Sequence, residues 1–371
     1  MSLSAIDTIS VALEHTKQQL FHPFRWGQWL RLALLGLMTG ELSSGGGCSG
    51  GNFNIPTNTQ TQPRSSEEFL ALPHMDPGLA GHILLFAGVV VLVFCVIALV
   101  WMYIGSVYRF ILIESIITKH VSLRAGWHKW HAAGRRFFLW RLVYQFALGM
   151  LCAILIGIPV GIAALLGLLK DPKAHMAPLI LGAIPLVLLL LLFALAAAVV
   201  WLLAKDFMAP IMALENLDFA DSWSRLLAMM KAEKGSYAGY VGMKIVLAIA
   251  AGILFGILIV LVVLVTLIPF GIVGVIVATA GKTAGLTWNA ETITLAIVAG
   301  TMLIALIMFI SSIISVPVTV YFPAYSIYFF ASRYPKLDAW LHPAPPQPAV
   351  PPPLIVPPVT LPPPLGSEPI G

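Results

Sequence analysis

Long stretches without formal charge alternate along this chain with shorter stretches where the charges collect. No Asp, Glu, Lys or Arg occurs between Pro77 and Tyr108, Leu142 and Leu169, Ala174 and Ala204, Ile245 and Gly281, or Thr292 and Ser332. A helix needs about 20 apolar residues to cross a hydrocarbon core of roughly 30 Å. Each stretch is long enough. Within them Leu, Ile, Val, Ala and Gly follow one another without the period-two alternation of a membrane β-barrel strand. The pattern predicts five spanning helices.

A sixth candidate is shorter. Trp29–Met38 is apolar except for Arg31. It reads as a tilted helix from Trp26 to Ser44 with Arg31 reaching the interface, or as a re-entrant half-helix covered by other protein. A secretory signal peptide fits poorly, because about 28 residues precede the apolar part and no small-x-small cleavage pattern follows it. The fold expected is all-α: a polytopic transmembrane helix bundle of about six spanning helices with interfacial amphipathic helices.

The polar stretches carry helical spacing of their own. Phe219, Trp223, Leu226, Leu227 and Met230 form one face, Leu123, Trp127 and Trp130 another, and Ile6, Ile9, Leu13 and Leu20 a third. Such segments suit the headgroup layer. Aligning Ala98–Trp101 with Ala198–Trp201 sets Phe110 near Phe207 and Glu114 near Glu215. Ile158-Pro-Val-Gly161 and Ile268-Pro-Phe-Gly271 follow in the same order. Three repeats, 1–107, 108–203 and 204–320, are one reading. The ordinary alternation of apolar and basic stretches in any polytopic protein is the other. The transmembrane domain is expected over residues 1–341. Glu41–Asp76 reads as a flexible outer loop, and the proline-rich tail 342–371 as disordered.

Composition agrees with a membrane environment. Of the 371 residues, 59% are hydrophobic and 10% charged, with a mean hydropathy of +0.93. Soluble domains carry about 25% charged residues. Lys and Arg gather on the cytoplasmic side of a bilayer. With six spans and the N-terminus inside, 17 of the 21 basic residues fall on the inner side. Without the first crossing the split weakens to 14 against 7. The expected location is therefore a cell (inner) membrane, multi-pass, with both termini cytoplasmic. The net charge of +5 points to lipid and not to nucleic acid.

Motifs add little chemistry. Gly45, Gly47 and Gly50 match a nucleotide-loop pattern, and Gly47, Ser49 and Gly51 a nucleophile-elbow pattern, but neither sits between a strand and a helix. His128 and His131 share one helix face, with Lys129 between them to repel a metal ion and no neighbouring acid. Cys95 and Cys152 lie within predicted spans, and Cys48 lies in the glycine-rich loop. No catalytic activity, cofactor or metal is expected. The candidate polar residues are Glu114 and Glu215, each in an apolar stretch just past an inner-interface Trp. A structural ion pair with Arg109, Arg141, Lys205 or Lys244 is one reading. A pseudo-symmetric pair of acids binding a cation or lipid amine is the other.

Two stretches carry a resemblance. Phe24-Arg-Trp-Gly-Gln-Trp-Leu-Arg, followed by Gly40-Glu-Leu-Ser-Ser-Gly-Gly-Gly47, is similar to the start of a group of uncharacterised bacterial and archaeal membrane proteins. So is Lys205-Asp-Phe-Met-Ala-Pro-Ile-Met-Ala-Leu-Glu215. More distantly, the chain resembles the membrane domain fused to some glycerophosphoryl diester phosphodiesterases. The catalytic barrel of those enzymes has no counterpart here, so the resemblance implies a membrane part without that activity. The function expected is a non-enzymatic membrane organiser, with the lipid bilayer and other membrane proteins as partners. The alternative is a transporter or channel for a small solute or lipid.

Overall fold

The computed structural model describes residues 3–41, 77–171, 174–283 and 289–343. The glycine-rich stretch with Cys48 and both glycine motifs lies outside the described residues, as does nearly all of the proline-rich tail. The described chain is helical: α1 (Asp7–Phe21), α2 (Trp26–Thr39), α3 (Pro77–Thr118), α4 (Leu123–Leu165) and α5 (Met176–Leu203). A π-helical turn, Ala204–Met208, joins α5 to α6 (Ala209–Glu215). Then come α7 (Phe219–Ala232), α8 (Lys234–Thr283), α9 (Ala290–Ile314), α10 (Val316–Ala331) and α11 (Pro335–Leu341).

Five helical stretches are long and apolar enough to cross a membrane: Leu85–Thr118, Leu123–Leu165, Met176–Glu215, Lys234–Gly281 and Glu291–Ile314. The candidate sixth is realised as fourteen residues, about 21 Å at 1.5 Å per residue, short of a hydrocarbon core. Helix α2 lies along the polar end of α3. Gln28 donates to the Lys119 carbonyl (2.9 Å) and Arg31 to the Val121 carbonyl (3.1 Å). The Met38 carbonyl stands 2.5 Å from where a Cβ on Gly105 would be, so only glycine admits this approach.

The molecule divides into a packed head and bare spans. The head collects α1, α2, the C-terminal part of α3, the N-terminal parts of α4 and α8, the π turn with α6, and α7, α10 and α11. Its interior is aromatic: Phe110, Phe137, Phe207, Tyr240, Tyr325, Phe329 and Phe330 are buried there. Both ends of the described chain meet in it, since Tyr325 donates to the Ala5 carbonyl (3.0 Å) and Arg333 to the Leu3 carbonyl (3.1 Å). The spans differ. In four of them no residue of the most apolar 18-residue stretch is buried, and in the fifth only 6% of it is.

One expectation about the polar segments changes, and α1 gains detail. Leu123, Trp127 and Trp130 do not form a separate interfacial helix. They are the first turns of the unbroken 43-residue α4, because nothing between Arg141 and Leu142 stops a helix. Helix α1 packs its polar face on the head, with Leu20 beside it, and leaves part of its apolar face outward. It buries Thr8, Ala12, His15, Thr16, Gln19 and Leu20, while Ile6 and Leu13 are exposed. Polar groups can be buried there because each finds a partner. Thr8 and Thr16 bond back to Ser4 and Ala12 carbonyls, and Gln19 donates to the Ser115 carbonyl. That bond leaves the Gln19 oxygen to accept from His15 Nε2 (3.1 Å), so His15 Nδ1 receives the Tyr328 hydroxyl (2.9 Å). Burial, then the charge of Lys119, lowers the pKa of His15 from 6.5 to about 4.

Candidate functional site

The strongest concentration of chemistry lies where the head meets the spans. It begins with a backbone event. Pro210 has no N–H, so in an α-helix the carbonyl four residues back would lose its donor and meet the proline ring. Here the chain widens over Ala204–Met208, and the Ala209 N–H bonds to the Ala204 carbonyl. A π turn of this kind is frequent at functional positions. It frees the Lys205 carbonyl, which accepts from the Arg109 guanidinium at 3.1 Å.

The same turn presents Lys205 and Asp206 to the interior. One Asp206 oxygen accepts from the Tyr240 hydroxyl (2.9 Å) and pairs with Lys244; the other faces Arg109 at 3.5 Å. Lys205 donates to one Glu41 oxygen at 2.7 Å, and Arg109 pairs with the other. The Lys244 ammonium also lies 3.2 Å from the Tyr240 hydroxyl and stands over the Phe322 ring. Glu41, Arg109, Lys205, Asp206, Tyr240 and Lys244 are all at least nine-tenths buried. Removing such charges from water costs several kcal/mol each, recovered only when every partner is present. The network ties together α3, α8, the π turn and the residue two places beyond α2. Among the described residues three cations face two carboxylates, a formal surplus of one positive charge. Chemically it is a closed electrostatic brace, with oxygens arranged for cationic side chains.

Glu41 therefore does not belong to an outer loop: its carboxylate is buried between Arg109 and Lys205. Glu114 and Glu215 sit elsewhere. Glu114 accepts from the Trp130 indole (2.6 Å) and from Lys129 (2.5 Å). Glu215 accepts from the Tyr334 hydroxyl (2.6 Å), Arg225 (2.5 Å) and Lys336 (2.8 Å). The two acids share no partner, and none of the four basic residues expected to pair with them does so. Five residues separate Arg109 from Glu114, which is about 140° around a helix of 3.6 residues per turn, so they face different ways. The His131 ring bonds to the His128 carbonyl (2.9 Å), and among the described residues no group of three or more His, Cys, Asp or Glu could hold a metal ion.

Sequence reading missed Asp206 and Glu41, although a signal was present. Arg109, Lys205 and Lys244 each stand at the edge of an uncharged stretch. Cations at one membrane depth in neighbouring helices need acids at that depth, and Asp206 directly follows Lys205. Glu41 and Lys205-Asp206 also fall within the two stretches that carry the resemblance. No curated protein and no solved structure matches the chain. A family does, over residues 3–340, and the chain belongs to it: the family of unknown function DUF7544.

Proposed function

We propose that this is a non-enzymatic, multi-pass component of a cell membrane that organises or holds partner membrane proteins, with its head and both termini on the cytoplasmic side, an arrangement that requires a sixth crossing besides the five long spans. The observation that supports it is the bare apolar surface of the five spans, which the described residues do not cover. Such faces are covered by lipid or by helices of other proteins. The distant resemblance to a membrane domain that accompanies a separate catalytic barrel fits the same reading. The test is photo-crosslinking inside the membrane, from a reactive residue placed at Phe146, Leu188 or Ile257, all exposed on different spans. Discrete protein adducts from one face are expected. Lipid adducts alone from all three positions would sink the reading. Reporter fusions at residues 60 and 345 test the topology: an internal signal at 60 or an external one at 345 overturns it.

A transporter is the second reading, favoured by the buried Arg109–Asp206–Lys244 network on a π turn at the inner edge of the spans. Flux of a small ion or solute into vesicles holding the wild type, lost in a folded Lys244→Gln variant, would select it over the first.

A further inference from the structure

Four cations border the uncharged stretches of the first four spans at their head ends. Arg109, Lys205 and Lys244 have carboxylate partners. Arg141, the last charge before Leu142–Leu169, has none. It makes no hydrogen bond and no ion pair with any described residue, and its Nε is buried without a partner. Its guanidinium lies 5.1 Å from the centre of the Trp201 ring, and a terminal nitrogen approaches Gly105 of α3, 3.7 Å from where a Cβ would stand. The Trp201 indole N–H also lacks an acceptor among the described residues. With Arg141 counted, four cations face two carboxylates among the described residues of this junction.

Depth says what is missing. One residue on, Leu142 and Val143 turn outward, followed by Phe146, as lipid-facing side chains do. Trp140, Tyr144, Trp201 and Phe219 stack into an aromatic wall around the position, with Trp140 and Trp201 nearly parallel at 5.8 Å. Amphipathic rings mark the interface. A guanidinium standing over an indole at headgroup depth is a fork for a planar or tetrahedral oxyanion. We propose that Arg141, seated on Trp201 at the junction of head and spans, binds the phosphate of a membrane phospholipid. The phosphate supplies negative charge to the excess of cations among the described residues and fixes the depth of the head against the bilayer.

The test uses the full chain in a nonionic detergent, with phosphatidylglycerol titrated in and read by native mass spectrometry. The wild type should retain one lipid, and Arg141→Gln should weaken retention by about tenfold, the scale of one charge-assisted hydrogen bond. Arg141→Lys, which keeps the charge without the fork, should fall between them. Without lipid, Arg141→Gln should melt close to the wild type, since only the contact with the Trp201 ring is lost. If it does not fold, Arg141→Lys carries the comparison. Inorganic phosphate is the second probe: Arg141-dependent phosphate binding with no lipid retained would assign the site to free phosphate and overturn the lipid proposal. Equal lipid retention by the wild type and the folded variants would overturn it outright.

Discussion

The two halves of α4 make opposite uses of one regular backbone. From Leu123 to Trp140 the helix is part of the head, with Gly126, Trp130, Ala133, Gly134, Phe137 and Trp140 buried. Beyond Arg141 its apolar side chains face outward, Val143 at 66% exposure and Phe146 at 74%. The first half is the more polar in sequence and the better packed. In water that would be a paradox. In a bilayer it is expected, because lipid solvates Leu and Val as well as protein does, and only polar and aromatic groups must find each other. Specificity is therefore concentrated in the head, while the spans are fixed mainly by their composition.

The largest expected difference between the two regions is electrostatic. Asp206→Asn leaves Lys244 and Arg109 facing a neutral group in a closed interior and should cost about 3–5 kcal/mol. Leu188→Ala, on the bare surface of α5, should change little by comparison. Thermal unfolding in detergent measures both. Similar losses from the two would abolish the distinction.

Acid comes next. Because the His15 pKa falls from 6.5 to about 4 on folding, the unfolded chain takes up a proton first as pH drops. Above pH 6.5 both states are neutral at this site and it has no effect on stability. Below that, stability is lost progressively until about pH 4, by about 3 kcal/mol in all. His15→Gln should flatten that part of the stability profile. A profile with the same slope in wild type and variant would show that the head does not hold His15 neutral.

Steric tests within α4 should be smaller. A Cβ on Gly134 would stand 2.6 Å from the Val107 side chain and 2.8 Å from its Cα, so Gly134→Ala forces α3 and α4 apart and should cost about 1–3 kcal/mol. Gly157→Ala in the outer half meets nothing within 4 Å and should be neutral or slightly stabilising. The contrast vanishes if the two alanine variants melt together.

The smallest effect belongs to Glu114. Its partner Lys129 is 54% exposed, and exposed pairs contribute about 0–1 kcal/mol. Lys129→Met should cost less than 1 kcal/mol. Glu114→Gln should cost more, because it also weakens the bond from the buried Trp130 indole. A functional loss from Glu114→Gln or Glu215→Gln without loss of stability would instead mark those acids as a binding site.

What the sequence determined by itself was the solvent and the class of fold. Uncharged runs longer than a bilayer need no partner to be read, since length and composition alone make them helices in lipid. The candidate polar residues were half legible. Arg109, Arg141, Lys205 and Lys244 stand out at the edges of those runs, but sequence spacing assigned them the wrong acids. Only the tertiary structure decided that Glu41 and Asp206 complete the network, because one reaches it from the residue beyond α2 and the other through a π turn that no hydrophobic period announces. It also decided that α1 buries its polar face and that α2 lies along α3. Those outcomes depend on hydrogen-bond partners 90 or more residues away, such as Ser115 for Gln19 and Lys119 for Gln28. A local pattern can say that a polar group must be satisfied, but the group that satisfies it is fixed only when the helices meet.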